Sequence, residues 1–135
     1  MKPKVLLVDD DPEFSELIEF NLKRQGWDIL VAHDGTEALR VARLELPDII
    51  LLDVMLPGLN GVSVCEILQH QPSTRDIPVF ILSALDPKYV GSRPNKARFA
   101  GFFKKPLDLK ILSEKILSAY ERRQALLRSK LAQPV

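Results

Sequence analysis

The acidic residues of the chain are placed where they could do chemistry. Three consecutive aspartates, Asp9, Asp10 and Asp11, directly follow a short apolar run. A fourth aspartate, Asp53, follows another apolar run. Carboxylates held close together cannot all stay ionised unless a cation balances their charge. Mg²⁺ suits such a site, since it prefers oxygen ligands, keeps several waters and also binds phosphate oxygens. A carboxylate is a competent nucleophile toward phosphorus, so the acids indicate phosphoryl acceptance on an aspartate.

Further polar side chains follow apolar runs in the second half of the chain. Ser83 comes directly after PVFIL, and Lys104 and Lys105 come directly after GFF. A fixed lysine would neutralise charge on the phosphoryl oxygens during transfer. The sequence therefore places acids, a hydroxyl and a cation at the ends of apolar runs.

Apolar runs and helix-like segments alternate along the chain. The predicted strands are 4–8, 28–32, 48–52, 78–82 and 101–103, and the regular predicted helices are 12–25, 36–46, 62–70 and 109–131. Near-continuous apolar strands separated by helices are typical of a parallel sheet covered on both faces. We predict an α/β fold with a single doubly wound, five-stranded parallel sheet in the order 2-1-3-4-5. The carboxyl ends of parallel strands meet at one edge, so the acids, the serine and the lysine should converge there.

The stretch 86–100 departs from this regularity. Asp86 and Pro87 form a good helix start, but Gly91, Ser92 and Pro94 soon follow. Inside a helix a proline costs about 3 kcal/mol and a glycine about 1 kcal/mol. We therefore predict five helices, of which the fourth is irregular.

The last predicted helix is longer than the sheet requires. It begins with a cap at Asp108 and ends near Leu131, so it would be about 36 Å long, whereas strands span about 17–20 Å. Its end, ERRQALLRSK, is basic and amphipathic. We predict a domain over residues 1–120 and a C-terminal helical extension or linker over 121–135. Exposed leucines on the extension would contact a second copy of the chain or an output domain.

Composition limits the possible classes of protein. The 135 residues suit a single domain. A formal net charge of +1 gives no global field, so neither nucleic acid nor a membrane is expected as a direct partner. The single cysteine, Cys65, excludes an internal disulfide and fits a reducing compartment, which favours the cytoplasm. No segment approaches the roughly 18 apolar residues that span a bilayer.

Four motifs together resemble those of the response-regulator receiver domain, the phosphoacceptor domain of two-component signalling. They are LLVDDDP (6–12), LLDVMLPGLNG (51–61), ILSA (81–84) and FKKP (103–106). Any one of them alone would be weak evidence. Their order and spacing match the family over nearly the whole of residues 1–120.

The resemblance implies a function for the acids. Asp53 would be the phosphoacceptor, supplied by a histidine kinase or a phosphotransfer protein. Asp10 would bind Mg²⁺ directly together with Asp53, and Asp9 would bind it directly or through a water. The backbone carbonyl of Met55 would supply another ligand. Asp11 matches the helix cap that follows the strand and not the metal site.

The resemblance also implies a phosphoryl contact set and a switch. Ser83 and Lys105 would contact the phosphoryl oxygens, and the Lys105–Pro106 peptide bond would be cis. Phe102 would be the aromatic residue that swings inward when Ser83 moves.

Two other functions compete with a phosphorylation switch. A phosphatase of the haloacid dehalogenase type also uses an aspartate and Mg²⁺, but it needs a second aspartate two residues after the nucleophile, where this chain has Met55. We therefore expect a protein that catalyses only its own phosphorylation and dephosphorylation. The second alternative is a degenerate receiver that acts as a constitutive protein-interaction module. The intact set of acids, serine and lysine argues against it, and the irregular stretch 86–100 argues for it.

Overall fold

Five parallel strands form the centre of the protein. A computed structural model describes residues 3–84 and 98–132. The strands are β1 (Lys4–Val8), β2 (Asp28–Ala32), β3 (Ile49–Asp53), β4 (Val79–Ser83) and β5 (Gly101–Lys104). They pair in the order β2-β1-β3-β4-β5, and every pairing is parallel. The predicted fold class and strand order are confirmed.

Four helices connect or follow these strands in the described part of the chain. They are α1 (Pro12–Arg24), α2 (Gly35–Glu45), α3 (Gly61–Gln69) and α4 (Leu109–Ala132). The predicted irregular helix falls mostly on residues 85–97, which lie outside the described residues. Residues 98–100 lead into β5 without helical structure.

Local capping explains where the helices begin. The Asp11 carboxylate accepts hydrogen bonds from the backbone N–H groups of Glu13 and Phe14, and Pro12 occupies the first turn of α1. Asp108 repeats the arrangement at α4, where its carboxylate accepts the N–H groups of Lys110 and Ile111. Both caps follow strands of the sheet, so the chain turns sharply from each strand end into its helix.

Two apolar layers cover the sheet. One layer lies under α1 and α4 and includes Ile18, Leu22, Trp27, Leu112 and Ile116. The other lies under α2 and α3, and its buried helical members include Ala38, Ala42, Val64, Cys65 and Leu68. Because β3 is buried along its whole length, its last residue, Asp53, is held by packing on both faces.

One apolar residue of α1 does not face the sheet. Helical periodicity in the sequence predicts one apolar face for Phe14, Leu17, Ile18 and Leu22, but Leu17 is 52% exposed, so the prediction is wrong for this residue. At about 100° per residue, Leu17 lies on the far flank of Ile18, and the small Ser15 occupies the buried flank instead.

Helix α4 divides into a packed half and an exposed half. Leu112 and Ile116 are fully buried, whereas Leu126 and Leu131 have exposed fractions of 60% and 87%. No helix in the described residues is long and apolar enough to cross a membrane.

Candidate functional site

Three predicted site residues meet at the carboxyl edge of the sheet. Asp9 directly follows β1, Asp53 ends β3 and Lys105 directly follows β5. The Lys105 Nζ donates a hydrogen bond to Asp9 Oδ2 at 2.7 Å and another to Asp53 Oδ2 at 3.0 Å. Residues that lie up to 96 positions apart in the chain therefore form one contact cluster.

Asp10 joins this cluster on its exposed side. One carboxylate oxygen from each of Asp9, Asp10 and Asp53 lies within 4.8 Å of the others. Asp9 is fully buried and Asp53 is 6% exposed, whereas Asp10 is open to solvent. Three carboxylates against one ammonium leave a formal excess of two negative charges. Hard oxygen donors with surplus negative charge and access to water fit a site for Mg²⁺.

Backbone N–H groups fix the orientation of two of these carboxylates. Asp9 Oδ1 accepts the N–H of Asp11 at 2.9 Å, and Asp53 Oδ1 accepts the N–H of Met55 at 2.9 Å. In both residues the other oxygen is therefore left for Lys105. The side chain of Met55 is exposed.

Burial and pairing shift the pKa values of two members of the cluster. Burial raises the pKa of Asp9 above its ordinary value, although the hydrogen bond from Lys105 opposes this effect. Burial alone would lower the pKa of Lys105, but its hydrogen bonds to Asp9 and Asp53 outweigh burial and raise it. Lys105 is therefore a fixed ammonium at neutral pH.

The predicted switch residues lie on β4 and β5 beside this cluster. Ser83 is the last residue of β4 and is fully buried, and its carbonyl accepts the N–H of Lys105 at 2.8 Å. Phe102 is opposite Ile81 in the neighbouring strand and packs, partly buried, against the layer under α2 and α3. The Lys105–Pro106 bond is cis, as predicted.

Two neighbours of the site were not foreseen. The Phe14 ring lies 4.2 Å, centroid to Nζ, from Lys105. The Nδ1 atom of His33, an exposed residue, lies 3.2 Å from the carbonyl oxygen of Asp9. Neither residue belongs to a sequence motif, and the pattern of α1 predicts only that Phe14 lies on its apolar face. The start of α1 at Asp11 and Pro12, directly after the acids, could have indicated that Phe14 lies near the site.

Comparisons with known proteins identify the family. The model of the response regulator receiver domain matches residues 5–117. The chain is 44% identical over 89 residues to the alkaline phosphatase synthesis transcriptional regulatory protein PhoP of Bacillus subtilis, a match covering 66% of this chain and 36% of that protein. It is 38% identical over 118 residues to the response regulator PleD of Caulobacter vibrioides, a match covering 87% of this chain and 26% of that protein. The chain thus spans about a third or less of the length of these curated relatives.

Solved structures agree with this assignment. The receiver domain of the Francisella response regulator 1452 is 35% identical, with a TM-score of 0.80 over 90% of this chain and 98% of that one. The signal receiver domain of a signal transduction histidine kinase from Syntrophus aciditrophicus is 31% identical, with a TM-score of 0.80 over 88% and 90% of the two chains. The chain therefore belongs to the response regulator receiver domain family of two-component signalling, whose members are signalling modules and not enzymes in the ordinary sense.

Proposed function

We propose that Asp53 accepts a phosphoryl group from a histidine kinase or a phosphotransfer protein, and that this modification switches the protein. One observation carries the proposal. The Asp53 carboxylate lies at the carboxyl edge of the sheet, 3.0 Å from the Lys105 ammonium and grouped with Asp9 and Asp10. Asp53 keeps some exposure whereas Asp9 has none, so Asp53 is the more accessible of the two aspartates that contact Lys105.

The proposed reaction is a direct displacement at phosphorus. A carboxylate oxygen of Asp53 attacks the phosphorus of a phosphohistidine, and the P–N bond breaks as the new P–O bond forms. The electron pair of the broken bond stays on the imidazole nitrogen, which regains a proton, and Asp53 becomes an acyl phosphate. Lys105 and Ser83 donate to the phosphoryl oxygens and balance their charge.

The proposed ligands of Mg²⁺ are Asp10, Asp53 and the backbone carbonyl of Met55. Asp9 would bind directly or through a water. When bound, Mg²⁺ neutralises negative charge on the phosphoryl oxygens. We expect weak binding, because most of the ligands of the ion would remain water.

The proposed switch runs through Ser83 and Phe102. A phosphoryl group on Asp53 would draw Ser83 toward its oxygens, and the Phe102 ring would then move inward. The neighbouring positions of the two residues on β4 and β5 support this route.

The proposed domain boundary lies near Tyr120. The family match ends at residue 117, and none of residues 121–131 is buried. Residues 1–120 form the receiver domain in this proposal, and 121–135 form a helical extension or linker to a second copy or an output domain.

Removal of residues 121–135 should change the sedimentation of the phosphorylated chain. Unchanged sedimentation and no loss of a captured partner would contradict the role of the extension.

Phosphorylation with a small donor tests the proposed function. With Mg²⁺ and acetyl phosphate, the chain should gain one acid-stable, base-labile phosphoryl group, and Asp53→Asn should abolish the labelling. Asp28→Asn is the matched control, because it changes an exposed acid at the opposite edge of the sheet and should retain labelling. Equal labelling of Asp53→Asn would reject the assignment. A folded but unlabelled wild-type chain would favour the degenerate interaction module.

A further inference from the structure

The Phe14 ring forms one wall of the space that holds the Lys105 ammonium. The ring centroid lies 4.2 Å from Lys105 Nζ, well within the range in which an aromatic face attracts a cation. Phe14 is partly buried and packs against the apolar layer under α1 and α4. Phe14 therefore contacts both this apolar layer and the charged site.

The ring is a further partner of an ammonium that two carboxylates already contact. A lysine ammonium has three donors, and carboxylate oxygens of Asp9 and Asp53 accept two of them. The Lys105 side chain is only 22% exposed, so water solvates little of it. The negative face of the ring supplies attraction on a side where water is scarce.

The third aspartate of the run holds this ring in place. The N–H of Asp11 donates to the Asp9 carboxylate at 2.9 Å, and the Asp11 carboxylate accepts the N–H groups of Glu13 at 3.0 Å and of Phe14 at 3.4 Å. The same short segment thus orients one carboxylate partner of Lys105 and positions the aromatic partner. This arrangement gives Asp11 a place in the site although it is not in the acid cluster.

We propose that Phe14 is a positioning residue that fixes the Lys105 ammonium beside Asp53 and thereby raises the rate of phosphoryl acceptance. The inference rests on the proposed function of Asp53. A lysine held by a ring and by two carboxylates loses little motion when it contacts the incoming phosphoryl oxygens. Without the ring, the Lys105 side chain would sample other rotamers, and its ammonium would contact the phosphoryl oxygens less often.

Stepwise fluorination of one ring tests the proposal without changing its shape. Phe14 is replaced by mono-, di- and trifluorophenylalanine, which progressively weaken the negative ring face, and the rate of labelling by acetyl phosphate is measured at saturating Mg²⁺. We expect the rate to fall at each step, reaching a loss of roughly threefold to tenfold. In a Lys105→Met background the fluorine substitutions should have no further effect.

Phe20 supplies the matched control on the same helix. Its ring lies 5.5 Å from the Arg24 guanidinium and is 60% exposed, so fluorination there should leave the rate unchanged. If the chain is labelled at Asp53 but the labelling rate does not change on fluorination of Phe14, this inference alone is overturned. A wild-type chain that is never labelled at Asp53 would overturn the proposed function and this inference together. The ring-current shift of the Lys105 side-chain protons, lost in Phe14→Leu, gives a second readout that does not depend on phosphorylation.

Discussion

Charged side chains are paired differently at the two edges of the sheet. At the amino edge, the backbone N–H of Lys4 donates to the Asp48 carboxylate at 2.7 Å, and the Lys4 ammonium pairs with Glu45 at 3.3 Å in a largely exposed contact. At the carboxyl edge, one partly buried ammonium, Lys105, serves two buried carboxylates.

The balance of charge also differs between the edges. Lys4 and Glu45 match one to one, and the Asp48 carboxylate is bonded by a backbone N–H. At the carboxyl edge three grouped acids share Lys105. An unbalanced set of grouped acids lowers stability, and among the described residues such a set lies at the carboxyl edge. It points to a site for a ligand that supplies positive charge. The balanced pairs at the amino edge therefore serve stability, whereas the surplus of acids at the carboxyl edge serves chemistry.

Glycine substitutions should separate the edges most strongly. A Cβ on Gly61 would meet the backbone carbonyl oxygen of Asp53, so Gly61→Ala should lower the free energy of unfolding by about 3 kcal/mol. At the amino edge, Gly26 has a φ of +96° and open space around it, so Gly26→Ala should cost about 1 kcal/mol. Urea unfolding of both variants checks the order. Equal costs would show that α3 can shift away from β3 freely.

Lysine substitutions should give the next largest contrast. Lys105→Met leaves two buried carboxylates without their shared cation and should cost about 2 kcal/mol, less than a fully buried pair because Lys105 keeps some exposure. Lys4→Met removes an exposed ion pair and should cost about 0.5 kcal/mol or less. Thermal or urea unfolding without divalent ions provides the measurement. A larger loss for Lys4→Met would reverse the comparison of the two edges.

A buried polar group without a partner should give a smaller effect than the changes at Gly61 and Lys105. Ser15 is 3% exposed, and its Oγ has no hydrogen-bond partner among the residues that the structure describes. Ser15→Ala removes an unsatisfied hydroxyl and improves helix propensity, so it should stabilise the protein by about 0.5–1 kcal/mol. Asp9 is also buried, but both of its carboxylate oxygens accept hydrogen bonds, from Asp11 and Lys105. Destabilisation by Ser15→Ala would indicate a hidden partner.

Much of the fold follows from the sequence because strand period and strand ends are local signals. The apolar runs predict the five strands within one residue at each end, and parallel pairing then predicts that Asp9, Asp53 and Lys105 meet. Asp53 and Ser83 prove to be the last residues of β3 and β4, not the residues after them. The ladder extends that far because Asp53 is aligned with Leu82 on β4.

The contacts missed from the sequence depend on side-chain directions across elements. Helical periodicity placed Phe14 and Leu17 on the same face, yet Phe14 reaches Lys105 and Leu17 is exposed. The rotation of α1 about its axis decides between them, and that rotation is set by packing against the sheet. The hydrogen bond between the Lys105 backbone and the Ser83 carbonyl likewise depends on strand register.

The stability of Asp10→Ala, measured with and without Mg²⁺, tests most directly the claim that the carboxyl edge holds surplus negative charge for a cation. Without divalent ions, Asp10→Ala should be more stable than the wild type, because one of three repelling carboxylates is gone. Saturating Mg²⁺ should stabilise the wild type more than the variant and close or reverse the gap. A metal-free Asp10→Ala variant that is less stable than the wild type, with no differential effect of Mg²⁺, would contradict the account.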